Sequence, residues 1–472
     1  MLRIVEADAF VVPVATRIPF RYGIAEMVNA PHVVLRVRIE SDAGSAAGFA
    51  SEHLPPKWFI KDAELPFADE VSTLASAILA ATDATGGLRA PHAFGLARDL
   101  DARQMAWAAE AGVSGLVAGL GVALVERAVI DAVCRLAATP FADALDSGLL
   151  GFDAAEVHPE LASAGPFRAG RGRSIAVRHT VGLADPLVDA EVSDDPGDGL
   201  PVSVESAIRR YGVSRFKLKT QGDVDADVAR IAQLVEVCQR AGLADARFTI
   251  DGNETMRTAD HMAGWMRGLF ASSVGDVLRA RLDAVEQPMY RSVALGEEAR
   301  TALAEVGSLA PVIIDESDDG FATVREAMDL GYAGGTYKGC KGVFRGLANA
   351  ALIRHRATPG RPTVLTAEDL STIPPLTVPQ DLVVASAMGL THIERNGHHY
   401  FARFAPFDRE LPARAVAAHP DLFEDSAGVA RLRITKGRLS LDSALAAPFG
   451  LAPEPVLINL EPLTPASAAA LA

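Results

Sequence analysis

RFTID (Arg247–Asp251), LDAVE (Leu282–Glu286) and PVIID (Pro311–Asp315) are three short apolar or β-branched runs, each ending in a carboxylate. Helical patterns separate them, at 258–279 and 294–306. The same unit continues in both directions. SIAVRHT (Ser174–Thr180) and RFKLK (Arg215–Lys219) precede these runs. AGGTYK (Ala333–Lys338), TVLT (Thr363–Thr366) and HIE (His392–Glu394) follow them. Further helical patterns fill 203–212, 223–241, 320–330, 343–356 and 379–387. Eight short strands alternating with helices predict an α/β fold, a parallel sheet closed as a modified (β/α)8 TIM-type barrel.

The chain before the barrel has a different rhythm. Arg3–Val14 and His32–Ile39 read as strands, with Val34, Arg36 and Arg38 opposite Leu35, Val37 and Ile39, the pattern of an antiparallel sheet with one wet face. Helices are predicted over Glu64–Ala81 and Val113–Leu136. In the second, Leu124, Ala128, Ala132 and Leu136 form an apolar stripe, with Glu126, Arg127, Asp131 and Arg135 on the other faces. The tail adds a small strand in RLRITKGRLSL and a Pro/Ala-rich end. The predicted organisation is an α+β capping domain over 1–140, the barrel over 141–415, and a segment 416–472 that completes the cap. No role is assigned to Phe141–Gly172 or to the acidic loop Ala184–Pro201.

Composition narrows the partners. The 472 residues carry 45 Lys+Arg against 60 Asp+Glu, a net charge of −15. That balance argues against nucleic acid or an anionic membrane, which need a basic footprint. It does not exclude a small anionic substrate at a buried cation. Three cysteines, Cys134, Cys238 and Cys340, give neither a disulfide framework nor a zinc spacing. Together with the lack of a signal-like N-terminus, they predict a cytoplasmic protein.

The strand ends carry the chemistry, because catalytic groups of TIM barrels sit at the carboxyl ends of the strands. Neighbouring strands lie about 4.8 Å apart, so Asp251, Glu286 and Asp315 can converge on one cation. An all-oxygen site selects a hard ion, Mg²⁺ with one cation per site, and Mn²⁺ as a substitute. Period-2 alternation turns Lys217 and Lys219 into the barrel. Their mutual repulsion and burial are expected to pull a lysine pKa down toward the range of a general base. Lys338 lies across the barrel from Lys219. Lys341 reads as a rim charge.

With these motifs on the page, the chain resembles the enolase superfamily, specifically the mandelate racemase/muconate lactonizing enzyme group. The resemblance rests on the K-x-K strand, D-G-N (Asp251–Asn253), E-Q-P (Glu286–Pro288), D-E-S (Asp315–Ser317), the sixth-strand lysine, the helix ALVERAVIDAVCRL and the tail ITKGRLSLDSALAAPFGL. It implies that Asp251, Glu286 and Asp315 are metal ligands and that Lys219 and Lys338 are an acid/base pair assisted by Lys217. Asn253 and Glu316 would stand behind the ligands. The seventh strand has no histidine, which places the resemblance in the lysine-pair branch. Arg21, Tyr22, Lys57 and Trp58 fall where the family's two lid loops lie, the arginine and lysine suiting an anionic substrate tail and the aromatics an apolar one. Glu394 would contact an oxyanion or pair with Arg395, the pairing being favoured. His398 and His399 read as loop residues near the mouth, His398 a candidate substrate contact.

The activity this implies is Mg-dependent removal of the α-proton of a small carboxylate to give an ene-diolate, as in a racemase, epimerase or cycloisomerase. The alternatives are a β-elimination lyase and a catalytically silent barrel acting as a binding protein. A homo-oligomer is expected from the family and from the general prevalence of symmetric association.

Overall fold

The computed structural model describes residues 1–472. The cap comprises β1 (Leu2–Val12), β2 (Ala15–Tyr22), β3 (Ala25–Asn29), β4 (His32–Ser41), β5 (Gly44–His53), α1 (Phe67–Ala84), β6 (Arg89–Ala90), α2 (Ala93–Ala111) and α3 (Gly115–Leu136). The barrel strands follow as β7 (Ser174–Val181), β8 (Arg215–Lys219), β9 (Arg247–Asp251), β10 (Leu282–Glu286), β11 (Val312–Ile314), β12 (Gly334–Lys338), β13 (Val364–Glu368) and β14 (His392–Arg395). The tail holds β15 (Phe423–Ser426), β16 (Val429–Leu432), β17 (Arg438–Ser440) and β18 (Glu461–Pro462).

The eight barrel strands form one curled parallel sheet in the order β13-β12-β11-β10-β9-β8-β7-β14. β13 and β14 lie side by side at the seam without a ladder between them. Two buried ion pairs cross there: Arg178 of β7 to Glu368 of β13, 2.6 Å, and Arg395 of β14 to Asp369, 3.0 Å. In-register pairing sets the functional layer, with Lys219 opposite Asp251, Asp251 opposite Glu286, and Lys338 opposite Glu368. β13 continues two residues past the predicted end at Thr366, and Glu368 is its last residue.

The tail is split. β15 and β16 make a hairpin, β17 runs antiparallel along the foot of β7, and β18 returns to pair with β1. RLRITKGRLSL is therefore two strands with different partners. On the cap sheet, Arg36 and Arg38 pair with Glu6 and Asp8 of β1, which keeps that face wet; Val34, on the same face, is fully buried nearer the barrel. No helix is long and apolar enough to cross a membrane.

α3 departs from its predicted amphipathic character. It is buried almost all round, wedged between cap and barrel, and the charged residues placed on its solvent faces are inside. Glu126 accepts hydrogen bonds from the amides of Val343 and Phe344 at a barrel helix N-terminus. Arg127 pairs with Glu52 at 3.0 Å and donates to Gln380. Asp131 pairs with Arg135 at 2.9 Å and accepts from the Phe49 amide. Each buried charge thus has a partner, the condition for holding it out of water.

α3 lies directly on β5. A Cβ on Gly48 would stand 2.1 Å from the Ala128 carbonyl and 2.3 Å from the Ala132 nitrogen, so only glycine permits this approach. Gly48→Ala is expected to destabilise the protein by about 1–3 kcal/mol through overpacking, read as a lowered denaturant midpoint.

His32 and His53, opposite each other across β4 and β5, are fully buried with ring centroids 4.7 Å apart, and none of their ring nitrogens has a hydrogen-bond partner. Burial holds His53 down to about 3 and His32 well below the usual histidine range. The unfolded chain takes up these protons near pH 6.5 and the folded chain does not. Stability is therefore full above about pH 6.5 and lost as pH falls toward 3, at about 2 kcal/mol for His53 by pH 5. Thermal melts at pH 7.5 and 5 should show this loss, and His53→Met should reduce it.

Candidate active site

Alternation along β8 sends Phe216 and Leu218 into the helix layer and Lys217 and Lys219 into the barrel, where they are only 1% and 6% exposed. The Lys217 ammonium sits among four carboxylates: Glu368 at 2.5 Å, Glu286 at 2.8 Å, Asp251 at 2.9 Å and Glu394 at 3.0 Å. Lys219 holds Asp251 at 2.6 Å. Across the barrel, Lys338 meets Asp315 at 2.5 Å and Glu368 at 2.8 Å.

This packing corrects the expectation of depressed lysine pKa values. Burial pulls Lys217 and Lys338 down, but the carboxylates outweigh it and hold both well above the ordinary lysine value. Lys341 is no rim charge. It is buried and donates to the Asp315 carboxylate at 3.0 Å and to the Thr336 carbonyl at 2.9 Å. Burial raises the Asp315 pKa, but Lys338 and Lys341 prevail and hold it below its usual value.

The carboxylates of neighbouring strands also draw together. Oxygens of Glu286, Asp315 and Glu368, all buried, lie within 4.8 Å of one another. The expected set was Asp251, Glu286 and Asp315. The structure gathers Glu286 and Asp315 with Glu368, while the Asp251 carboxylate is turned to Lys217 and Lys219. Glu286 Oε2 is buried without a hydrogen-bond partner. Burial and then the adjacent Glu368 carboxylate drive the Glu286 pKa well up. An all-oxygen cluster with an orphaned acceptor fits a hard divalent cation.

The surrounding loops fix these groups. Asn253, with φ of 42°, donates its amide to Asp251 at 2.7 Å and its side chain to Glu316 at 3.2 Å. Burial, then Asp315 and Glu254, push Glu316 up to about 7. Gln287 Oε1 accepts from the amides of Asp315, 2.8 Å, and Ser317, 3.2 Å, tying the β10 loop to the β11 loop. Gln287 lies inside the quoted E-Q-P motif, yet its role shows only in these contacts.

A cavity of about 320 Å³ opens above the lysines, lined by Phe20, Tyr22 and Trp58 from the cap and by Asp369, Glu394 and Asn396 from the barrel, among others. The Tyr22 ring lies 5.8 Å from the Lys219 ammonium and the Trp58 ring 5.2 Å from that of Lys338, so each lid aromatic covers one lysine. Arg291 holds the Trp58 segment down. It donates to the Trp58 and Phe59 carbonyls at 2.9 and 2.8 Å, and Glu254 braces its guanidinium. The other lid candidates do not line the cavity. Arg21 pairs with Glu26 on the surface, and Lys57 bonds the Leu65 carbonyl within its own loop.

Glu394 does not pair with Arg395. Successive strand residues face opposite ways, so Glu394 reaches Lys217 and Thr180 inside the barrel while Arg395 binds Asp369 and Asp381. His398 and His399 lie in a short helical turn, Gly397–Tyr400, packed on His179, which faces outward from β7; none of the three lines the lysine cavity.

No family model and no curated protein matches this sequence. Solved structures do match in three dimensions. They include a mandelate racemase/muconate lactonizing enzyme from Bordetella bronchiseptica RB50, with 16% identity, TM-score 0.61, and 100% of this chain and 99% of that one covered. The fold is that of these enzymes. An L-Ala-D/L-Glu epimerase from Bacillus subtilis matches at 15% identity and TM-score 0.58, covering 91% of this chain and 96% of that one. An enolase from Bradyrhizobium, complexed with magnesium and mandelic acid, matches at 17% identity and TM-score 0.56, covering 99% and 98%.

Mg²⁺ binding by calorimetry tests the carboxylate cluster. Glu286→Gln and Asp315→Asn should each weaken it about ten-fold or more, and binding to the unaltered protein should release a proton, seen as a buffer-dependent heat. The third ligand separates the two sets: weakening in Glu368→Gln supports the gathered cluster, and weakening in Asp251→Asn supports the in-register set.

Proposed function

We propose that this chain is an enolase-superfamily enzyme of the mandelate racemase/muconate lactonizing enzyme group, removing the α-proton of a small carboxylate as a racemase, epimerase or cycloisomerase. The observation that carries the reading is the pair Lys219 and Lys338. They stand on β8 and β12, with three strands between them along the sheet, each backed by a carboxylate and covered by a lid aromatic. Two proton-transfer groups on opposite walls can serve the two faces of one carbon.

Glu286 and Asp315, with Glu368 or Asp251, would hold a divalent cation, taken here as Mg²⁺. Bound there, it would supply the positive charge that acidifies the α-proton of a carboxylate seated beside it. The rest falls to the chain. Lys338, kept charged by Asp315 and Glu368, is set as the proton donor; it becomes a base only when those carboxylates are engaged elsewhere. Lys219 faces a single carboxylate, Asp251, and is assigned the opposite face as base. Lys217 stays charged among four carboxylates and fixes their positions rather than carrying protons. Tyr22, Trp58 and Phe20 close the cavity over the lysines and keep water from competing for the transferred proton.

The test is a panel of carboxylic acids with the protein in D₂O and Mg²⁺, followed by proton NMR. Exchange of the α-proton with retention of the carbon skeleton is the expected outcome, and loss of a β-substituent would mark a lyase instead. Lys219→Ala and Lys338→Ala should each lower turnover by about 10²–10⁴ while leaving Mg²⁺ binding intact. Full activity in either variant would overturn the lysine assignment.

A further inference from the structure

We propose that a second cavity, back to back with the lysine pocket, binds a small anion carrying an apolar body. It is a hollow half open to solvent, walled by apolar side chains and rimmed by charged ones. Four stretches of chain far apart in sequence build it: the helix after β7, the loop after β13, the turn after β14, and the β15–β16 hairpin. Its apolar wall includes Tyr211, Phe401, Phe404 and Leu432, all buried.

Three guanidiniums, those of Arg210, Arg403 and Arg431, face this wall, and none makes an ion pair in a chain whose net charge is −15. Two acids lie nearby, and one of them, Glu424, stands opposite Arg431 across the β15–β16 ladder. Asp198 is gripped by Arg17 through two hydrogen bonds, 2.6 and 2.9 Å, and Glu424, which also lines the cavity, lies 3.9 Å from Arg433. Arg431 reaches only the Asp198 carbonyl, at 3.5 Å, and its Nε is buried without a partner. His398, on the same wall, spends Nε2 on His179 at 3.2 Å and leaves Nδ1 buried and unpartnered.

Arg210 and Arg403 are exposed, whereas the unpartnered Arg431 Nε and His398 Nδ1 are buried polar atoms of the kind that mark a missing partner. Three guanidiniums outnumber the single carboxylate, Glu424, in this lining, and the planar guanidinium fork matches carboxylate and phosphate oxygens. The apolar wall then selects an anion with an aromatic or aliphatic body over a bare inorganic one. The lysine pocket is a different place: it ends at Ser371 and Asn396, and this cavity begins at Ile373 and Gly397 on the other side of the same loops. The proposal is independent of the chemistry assigned to the lysines.

The probe is 8-anilinonaphthalene-1-sulfonate, an aromatic anion, titrated into the full-length protein and followed by fluorescence. Saturable binding with one-to-one stoichiometry is expected. Arg403→Glu and Arg431→Glu should each weaken it by about ten-fold or more at unchanged melting temperature. Arg403 is exposed, so its variant carries the test if Arg431→Glu lowers stability. The uncharged N-phenyl-1-naphthylamine should bind at least about ten-fold more weakly. Affinity unmoved by both arginine substitutions, equal binding of the neutral probe, or loss of binding in Trp58→Ala, which would place the dye in the lysine pocket, would each overturn the proposal.

Discussion

Everything at the barrel mouth depends on one constraint, the packing of lysine ammoniums among carboxylates where water is excluded. Lys217, Lys219, Lys338, Lys341 and Arg178 face Asp251, Glu286, Asp315, Glu368 and Glu394 in a continuous lattice. Burying ten ionisable groups is tolerable only because each finds opposite charge at contact distance. The lattice is balanced, with five cations facing five carboxylates.

The lattice needs a rigid frame, which the cap supplies. α3 is clamped between β5 and the barrel by Glu126, Arg127 and Asp131, and Gly48 lets its backbone close onto the sheet. The cap then delivers Tyr22 and Trp58 over the two lysines. Arg291, braced by Glu254, fixes the Trp58 segment from the barrel side. Cap and barrel therefore share one apolar core, and the pocket is closed by parts of both.

Much of the frame was legible because β/α alternation is written locally. β8, β9 and β10 lie where their apolar runs begin and end, and Lys217, Lys219, Asp251, Glu286, Asp315 and Lys338 all face the barrel interior, as period-2 alternation requires. Glu368 lies beyond Thr366, where the β-branched run of the seventh strand stops. Carrying the inward alternation on by one step, from Thr366 to Glu368, would have found it. α3 misled for another reason: Glu126, Arg127 and Asp131 look like solvent-facing charges in a helix read alone, and only a second layer packed on that face reveals them as buried.

The amino-acid sequence by itself determined the alternating architecture, the inward lysines and acids, and the acidic net charge. These depend on period, residue type and composition, which are local or additive. The tertiary structure decided which carboxylates gather into one cluster, which lysines they hold charged, which lid residues reach the pocket, and where three unpaired arginines share a hollow. Those outcomes depend on distances of a few ångströms between segments hundreds of residues apart, and Coulomb and hydrogen-bond energies change over that scale.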